Sequence, residues 1–329
     1  MRASGDATKP GRRAALALGA AGVLAAPALA QGKYPERPIR LIIPWPPGGS
    51  ADAQLRSLAE IAGRKLGQNV VVENRPGASG TLGALHLTTQ ARPDGYTISQ
   101  MHLSVIRRPY LVRTPPWDPV ADFSHIIGLT GWLFGIAVKA DGPLKTYADY
   151  LAYARANPGR LNYATSGIAT TNHLTMEELS AREKIELVHV PYRSSNEAAV
   201  AVASGEVMSV ADSSGWAPLV DGGQLRLLCV WTAERSPRFP NAPTLKELGY
   251  EMVVTSPYGL SGPKGMDPGV VRALHDALKE ALFDPANVAV RAQFDMPLEY
   301  YGTEDYRAFV QRRAEYESAM AKRLNLRID

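Results

Sequence analysis

The sequence predicts an α/β protein of two lobes, each a mixed, mostly parallel sheet covered by helices, with a ligand cleft between them. Three observations lead there. Short apolar runs that read as strands alternate with amphipathic stretches that read as helices, the pattern of parallel sheets packed under helices. The alternation falls into two series, joined by the glycine-spaced apolar run 126–138 and followed by a return strand over 252–260. Loops of small residues stand at the ends of strands in both series, and in open α/β sheets such loops face the crevice.

The first thirty of the 329 residues read as a secretory signal. Arg12-Arg13 precede an apolar run, 14–29, too short and too alanine-rich to span a bilayer, and Ala28-Leu29-Ala30 is a small-x-small site before Gln31. Cleavage is expected after Ala30, by either the general or the twin-arginine export route. No cysteine follows that point, which excludes a lipid anchor there. Residues 1–30 hold four basic residues against one acidic, a net of +3, so the formal +4 of the whole chain falls to +1 over 31–329. That balance gives no support to nucleic-acid binding. Nothing after residue 30 is apolar enough to cross a membrane. Cys229 is the one cysteine and sits in Leu227-Leu228-Cys229-Val230-Trp231, a buried-strand pattern. One cysteine builds neither a disulfide nor a cysteine metal site.

In order, strand 39–43 runs into Pro44-Trp45-Pro46-Pro47-Gly48-Gly49 and then a helix with Leu55, Leu58, Ala62 and Leu66 on one face, capped by Ser50 or Asp52. Strand 70–74, the small-residue loop 75–81, helix 82–90, the turn Pro93-Asp94-Gly95 and strand 96–103 follow. Proline-rich 108–119 reads as an irregular surface connection. Run 126–138 reads as one strand leaving the first lobe for the second. There, helix 147–156 stops at Asn157-Pro158-Gly159, strand 161–164 feeds loop 165–172 and a helix, and strand 185–192 feeds the cap Arg193-Ser194-Ser195-Asn196 and helix 197–203. Strand 207–211 ends in Asp212-Ser213-Ser214-Gly215, and strand 225–231 follows. Helices 268–283 and 303–323 close the chain. The division expected is 31–134 with 255–329 as the first lobe and 135–254 as the second.

Four loops share one chemistry: 44–52, 76–81, 165–172 and 212–215 are rich in Gly, Ser, Thr and Asn and almost free of positive side chains. Each alone fits an ordinary helix cap or β–α connection. Together they suit a cleft in which backbone N–H groups, hydroxyls and helix termini hold one or two carboxylates rather than a polyphosphate. Trp45 and Tyr192, beside such loops, are candidates for an apolar wall. His102, at a strand end, is a cleft candidate, and Arg193 follows a strand end where it either meets solvent or approaches the ligand. The six histidines show no metal-ligand spacing, and there is no phosphate-binding loop and no dinucleotide fingerprint, so neither metal nor cofactor is expected. Ser166 and Ser79 lack the nucleophile-elbow pattern. A hydrolase using one of them with His173 is the alternative from the enzyme class, because triads assemble in space.

The motifs resemble those of the Bug family, the periplasmic solute receptors of tripartite tricarboxylate transporters. The resemblance is carried by Tyr34-Pro35-Glu36-Arg37-Pro38, by the loop Pro44 to Asp52, by Val72-Glu73-Asn74-Arg75-Pro76-Gly77-Ala78-Ser79-Gly80, and by Pro93-Asp94-Gly95-Tyr96-Thr97. In the second half it is carried by Asn157-Pro158-Gly159-Arg160-Leu161-Asn162-Tyr163-Ala164-Thr165-Ser166-Gly167, Thr171-Asn172-His173-Leu174, Val190-Pro191-Tyr192-Arg193 and Ser204-Gly205-Glu206-Val207. It implies a type II periplasmic binding protein, a monomer, that closes on a small organic carboxylate (dicarboxylate, tricarboxylate, acidic amino acid or aromatic acid) and passes it to the membrane permease subunits. A receptor signalling to a membrane sensor is the alternative within the binding class. By position, the implied ligand contacts are Gly48, Gly49, Ser50, Ala51 and Asp52 in the first lobe. In the second they are Ser166, Gly167, Thr170 and Thr171, with Asp212 nearby. Trp45, Ser79, His102 and Tyr192 complete the expected site. The chain departs from the family pattern at Ala51, where a threonine is usual, near Tyr258, where a tryptophan is frequent, and at Gly265-Met266-Asp267-Pro268.

Overall fold

The computed structural model describes residues 34–323 with Met1, Gly5, Arg327 and Ile328. The expected signal run and its cleavage point lie outside the described residues. The chain divides into a unit Met1–Tyr34 and a body Pro35–Asp329, and the body carries every element that follows.

Among the described residues the body has eleven strands: β1 (Ile39–Ile43), β2 (Val70–Asn74), β3 (Thr97–Met101), β4 (Phe123–Thr130), β5 (Phe134–Lys139), β6 (Leu161–Thr165), β7 (Leu187–Pro191), β8 (Ser209–Ser213), β9 (Leu225–Val230), β10 (Tyr258–Pro263) and β11 (Leu298–Tyr301). They form two sheets, of order β11-β4-β10-β3-β1-β2 and β7-β6-β8-β5-β9. β1 is parallel to β2 and β3, and β6 is parallel to β7 and β8. The remaining pairings, made by β4, β5, β10 and β11, are antiparallel. Both sheets are therefore mixed, and the parallel character expected from the sequence is confined to the β–α units.

The antiparallel strands are the ones by which the chain changes sheets. It passes from β4 to β5 and returns from β9 to β10, and at each end the outgoing and returning strands pair with one another. Between the sheets the two crossings stay bonded: Trp132 N–H donates to the Thr255 carbonyl (2.7 Å) and Trp231 N–H to the Phe134 carbonyl (3.0 Å). The run read as one strand over 126–138 is thus two, broken at Gly131-Trp132-Leu133. A Cβ on Gly131 would lie 2.7 Å from the Thr255 carbonyl, so only glycine lets the crossings approach this closely. The expected return strand starts late, at Tyr258, because 252–257 form the second crossing.

Two further expectations are corrected. Residues 108–119 are not a purely irregular surface connection. Helix Leu103–Arg107 runs into a short 3-10 turn, Arg108–Tyr110, with Pro109 at a position where a missing N–H costs nothing. Leu111 and Trp117 beyond it are buried, and the Trp117 indole donates to the Val105 carbonyl (3.0 Å). Helices Ala217–Asp221 and Pro285–Gln293 and strand β11 fall where no element was expected, all three too short for a clear periodicity. Each sheet has its own core. Ala164, Ala198, Val210 and Trp216 pack together under the second, and Leu87, Met101, Ile106, Tyr306 and Val310 under the first.

Candidate functional site

A cavity opens where loops of the two sheets meet, with about 590 Å³ between protein atoms, open mouth included. Three helices begin at its wall: Ser50–Leu66, Thr171–Glu183 and Ser195–Ser204. Their N-cap residues Gly49, Thr170 and Ser194 line the cavity, as do their first residues Ser50, Thr171 and Ser195. The first amides of a helix have no acceptor within it, and the aligned peptide dipoles leave the end partly positive. At two of the three ends a hydroxyl satisfies one amide: Thr170 accepts from His173 N–H (3.4 Å) and Ser194 from Glu197 N–H (3.2 Å). The Gly49 end has no such cap, and its first internal bond runs from Ala53 N–H to the Gly49 carbonyl (2.9 Å). The amides of Ser50, Ala51 and Asp52 precede that bond.

The cap expected from Ser50 or Asp52 is therefore not made. The Asp52 carboxylate folds back instead, accepting from Gly48 N–H (2.9 Å), Arg56 Nε (2.9 Å) and Asn74 Nδ2 (2.7 Å). Gly48 turns the chain for this with φ +90°, a conformation that side chains resist. Burial pushes the Asp52 carboxyl up, but the bonds from Arg56, Asn74 and Gly48 outweigh it and hold it below the ordinary value. Asp212, at the end of β8, is 1% exposed and has a different company. It accepts from Ser166 N–H (2.5 Å), Asn172 Nδ2 (2.7 Å) and Ser213 N–H (2.7 Å), with no cation among its partners. Burial pushes it up to about 6 despite these bonds.

Part of the wall is aromatic. The ring of Trp45 lies 5.0 Å from that of His102 and 6.5 Å, edge-on, from that of Trp132, which is 6.2 Å from Phe134 and 4.5 Å from Tyr258. The Trp45 indole donates to Gln100 Oε1 (2.9 Å). His102 Nε2 bonds the Gly80 carbonyl (3.0 Å), and burial lowers the ring to about 4, so it is neutral at pH 7.

Of the residues singled out in the sequence, the cavity brings together Trp45, Gly49, Ser50, Ala51, Asp52, His102, Ser166, Thr170, Thr171 and Asp212. Four stand outside its wall. Gly48 gives its amide to Asp52. Gly167 accepts the Thr165 and Thr170 hydroxyls through its carbonyl (3.0 and 2.9 Å). Ser79 donates to the Ile168 carbonyl (2.7 Å) and so joins the two lobes, and the Tyr192 hydroxyl donates to Glu206 (2.9 Å). Arg193 is exposed, and among the described residues no lysine or arginine lines the cavity. Sequence reasoning missed Asn172, Ser194, Ser195, Trp132, Phe134 and Ser256 as wall residues. The sequence places Ser194-Ser195 in a helix cap but not in the cleft, although Ser194-Ser195-Asn196-Glu197 has the capping-box spacing of a helix start. Nothing local marks Trp132 or Phe134. Among the described residues, no group of three or more His, Cys, Asp and Glu is placed to hold a metal ion.

Two mixed α/β sheets joined by paired crossings, with a small-molecule cavity walled from both, define a two-lobed solute-binding protein. Comparison with known proteins supplies the family. The model described as tripartite tricarboxylate transporter family receptor matches residues 54–326, and the chain belongs to that family. The Cupriavidus necator "UPF0065 protein in gbd 5'region" is 48% identical over 313 residues, covering 95% of each chain. The solved periplasmic binding protein BugD is 28% identical with a TM-score of 0.84, over 89% of this chain and 99% of its own. An R. palustris protein solved with adipate is 27% identical with a TM-score of 0.81, over 88% and 97%. The family is one of solute-binding receptors and not of enzymes, which sets aside the hydrolase alternative at Ser79 or Ser166.

Proposed function

We propose that this chain is an extracytoplasmic receptor that takes up a small organic carboxylate between its lobes and delivers it to a permease of the tripartite tricarboxylate class. One observation carries the reading: three helix N-termini meet at a cavity that, among the described residues, no lysine or arginine lines. Such an arrangement attracts an anion through backbone dipoles and amides and releases it without breaking a salt bridge. The seat consists of the amides of Ser50, Ala51 and Asp52 from one lobe and those of Thr171, Asn172 and Ser195 from the other, with Trp45, His102, Trp132 and Phe134 beside the ligand. The adipate held by the R. palustris relative agrees with a carboxylate. The lobes are 31–134 with 255–329, and 135–254, moving about the paired crossings. The chain is exported to the periplasm with cleavage after Ala30 and works as a monomer.

Thermal denaturation against a panel of mono-, di- and tricarboxylates and amino acids tests the reading. A ligand at a hundred times its Kd stabilises the fold by about 2.7 kcal/mol. No shift with any compound would overturn it. Delivery is tested by uptake of the identified ligand in cells lacking the protein, where undiminished uptake rules the transport role out.

A further inference from the structure

A short loop of the second lobe is anchored in the first. Loop 166–170 follows β6 and opens helix Thr171–Glu183, so it decides where Thr170, Thr171 and Asn172 stand on the cavity wall. Its largest apolar side chain, Ile168, is 51% exposed, while the smaller Ala169 is buried. A loop folding for its own burial would hide the isoleucine. What buries Ala169 is the other lobe. It forms one apolar cluster with Leu111 and with Ala321, near the end of helix Thr303–Arg323, and Tyr110 and Ile328 pack against that cluster.

The backbone of the loop is held at the same place. Ala169 N–H donates to His173 Nδ1 (2.9 Å) in its own lobe, and the Ala169 carbonyl accepts from Arg107 Nη1 (3.0 Å) in the other. The neighbouring Ile168 carbonyl accepts from Ser79 Oγ (2.7 Å). Arg107 is buried, and its Nε and Nη2 are tied to Glu317, so the planar guanidinium is fixed whether or not the loop is seated. Both acceptors are neutral carbonyls, and bonds to them are individually modest. Ser79 and Ala169, on the two sides, have φ of +54° and +57°, a left-handed backbone that serine and alanine adopt at a cost. One small apolar knob, two such bonds and two strained residues make a contact that holds without fusing the lobes.

We infer that Ala169 is the knob of a clasp and that Arg107, Leu111 and Ala321 form its socket. Seated, the clasp sets the second lobe's helix start on the cavity. Unseated, it frees the lobes to part and the ligand to pass. Ala169 and Arg107 do not line the cavity, so they are positioning residues that act through Thr170 and Thr171. The inference rests on the receptor reading above, but its test needs no ligand, so the clasp stands or falls apart from whether a carboxylate binds.

Small-angle X-ray scattering and thermal denaturation of the exported protein, without added ligand, compare the wild type with a variant of each half. Ala169→Lys sets a cation against Arg107. Ala321→Gln fills the socket from a helix position that glutamine suits. Each variant is expected to melt within about 5 °C of the wild type and to show a larger radius of gyration. The double variant is expected to be no larger than the larger single, since an open clasp is not opened further. A wild-type radius of gyration in folded Ala321→Gln overturns the clasp, because the socket then yields with the lobes still shut. Loss of cooperative melting in Ala321→Gln overturns it too, because the cluster is then core and not a separable contact. Ala321→Gln decides even where Ala169→Lys does not fold. A double variant clearly larger than either single overturns the pairing of Ala169 with this socket.

Discussion

In the first lobe, the loop that feeds helix Ser50–Leu66 is held by paired charges, while the loop that feeds Thr171–Glu183 in the second is held, within its own lobe, by neutral and titratable groups. Asp52 is locked to Arg56 and Asn74, and elsewhere in the same lobe the buried Arg107 and Glu317 form a two-point ion pair (2.5 and 3.0 Å). In the second lobe, the Thr170 hydroxyl caps the helix, His173 Nδ1 accepts from Ala169 N–H (2.9 Å), and Asp212 has no cation. The caps at the cavity follow the same division, since the first lobe's helix starts bare at Gly49 and the second lobe's helices Thr171–Glu183 and Ser195–Ser204 carry hydroxyl caps. A bare start presents all its donors to a ligand. A capped start is fixed in place and presents fewer. On the proposed reading, the first lobe supplies grip that does not titrate near neutrality, and the second supplies orientation that does.

The largest effect is expected where the charged scaffold reaches across to the neutral one. Arg107 Nη1 donates to the Ala169 carbonyl (3.0 Å), so the ion pair of the first lobe holds the second lobe's loop. Arg107→Met removes that bond and leaves Glu317, fully buried, with Arg313 alone (2.9 Å). A cost of about 3–5 kcal/mol is expected in urea denaturation. A cost below about 1 kcal/mol would mean that Arg313 suffices and that the bridge to Ala169 is idle. Next in size is the bare helix start. A Cβ at Gly49 meets nothing within 4 Å and φ there is −77°, so Gly49→Leu should fold normally while its side chain occupies the carboxylate's place. Affinity is expected to fall by about a hundredfold, about 2.7 kcal/mol. Ser194→Ala, at a capped start, should instead cost about 1 kcal/mol of stability and little affinity. Retained affinity in folded Gly49→Leu protein would remove the first loop from the seat.

How much of this is legible in the sequence depends on how local the cause is. Helix Pro268–Phe283 falls where it was expected, because Asp267 caps it, Pro268 opens it and its apolar stripe is regular. The loop from Pro44 to Asp52 is legible as a helix start for the same kind of reason. The direction of the Asp52 carboxylate is not, since it depends on Asn74 in β2, which reaches the loop only through sheet pairing. Trp132 and Phe134 are further out of reach. Their place on the wall requires two crossings more than a hundred residues apart to run side by side, and no window of sequence contains that fact. The same pairing makes β5 and β10 antiparallel in sheets whose β–α units read as parallel. Short elements opened by proline, such as Pro285–Gln293, are lost because proline reads as a break before it reads as a start.

The smallest expected effect tests the titratable half directly. His173 and His189 stack with centroids 3.9 Å apart, and His189 Nε2 bonds the Thr165 hydroxyl (2.7 Å). Burial lowers both rings, with His173 adding to the effect on His189, which falls to about 4. A folded value below the ordinary 6.5 means the unfolded chain binds more protons, so this pair makes stability fall as pH drops from about 6.5 towards about 4. Asp212, raised to about 6 by burial, acts in the opposite sense between 3.8 and about 6. The measurement is therefore the difference between wild type and His189→Gln, which can still bond Thr165 and does not titrate. Between pH 7 and 5 the wild type is expected to lose about 1 kcal/mol more than the variant, the stack being only partly shielded from solvent. Asp52 contributes nothing in that window, because its carboxyl, held below the ordinary value by Arg56, Asn74 and Gly48, stays ionised throughout it. Equal slopes for the two proteins would leave the lobes differing in charge without differing in response to pH.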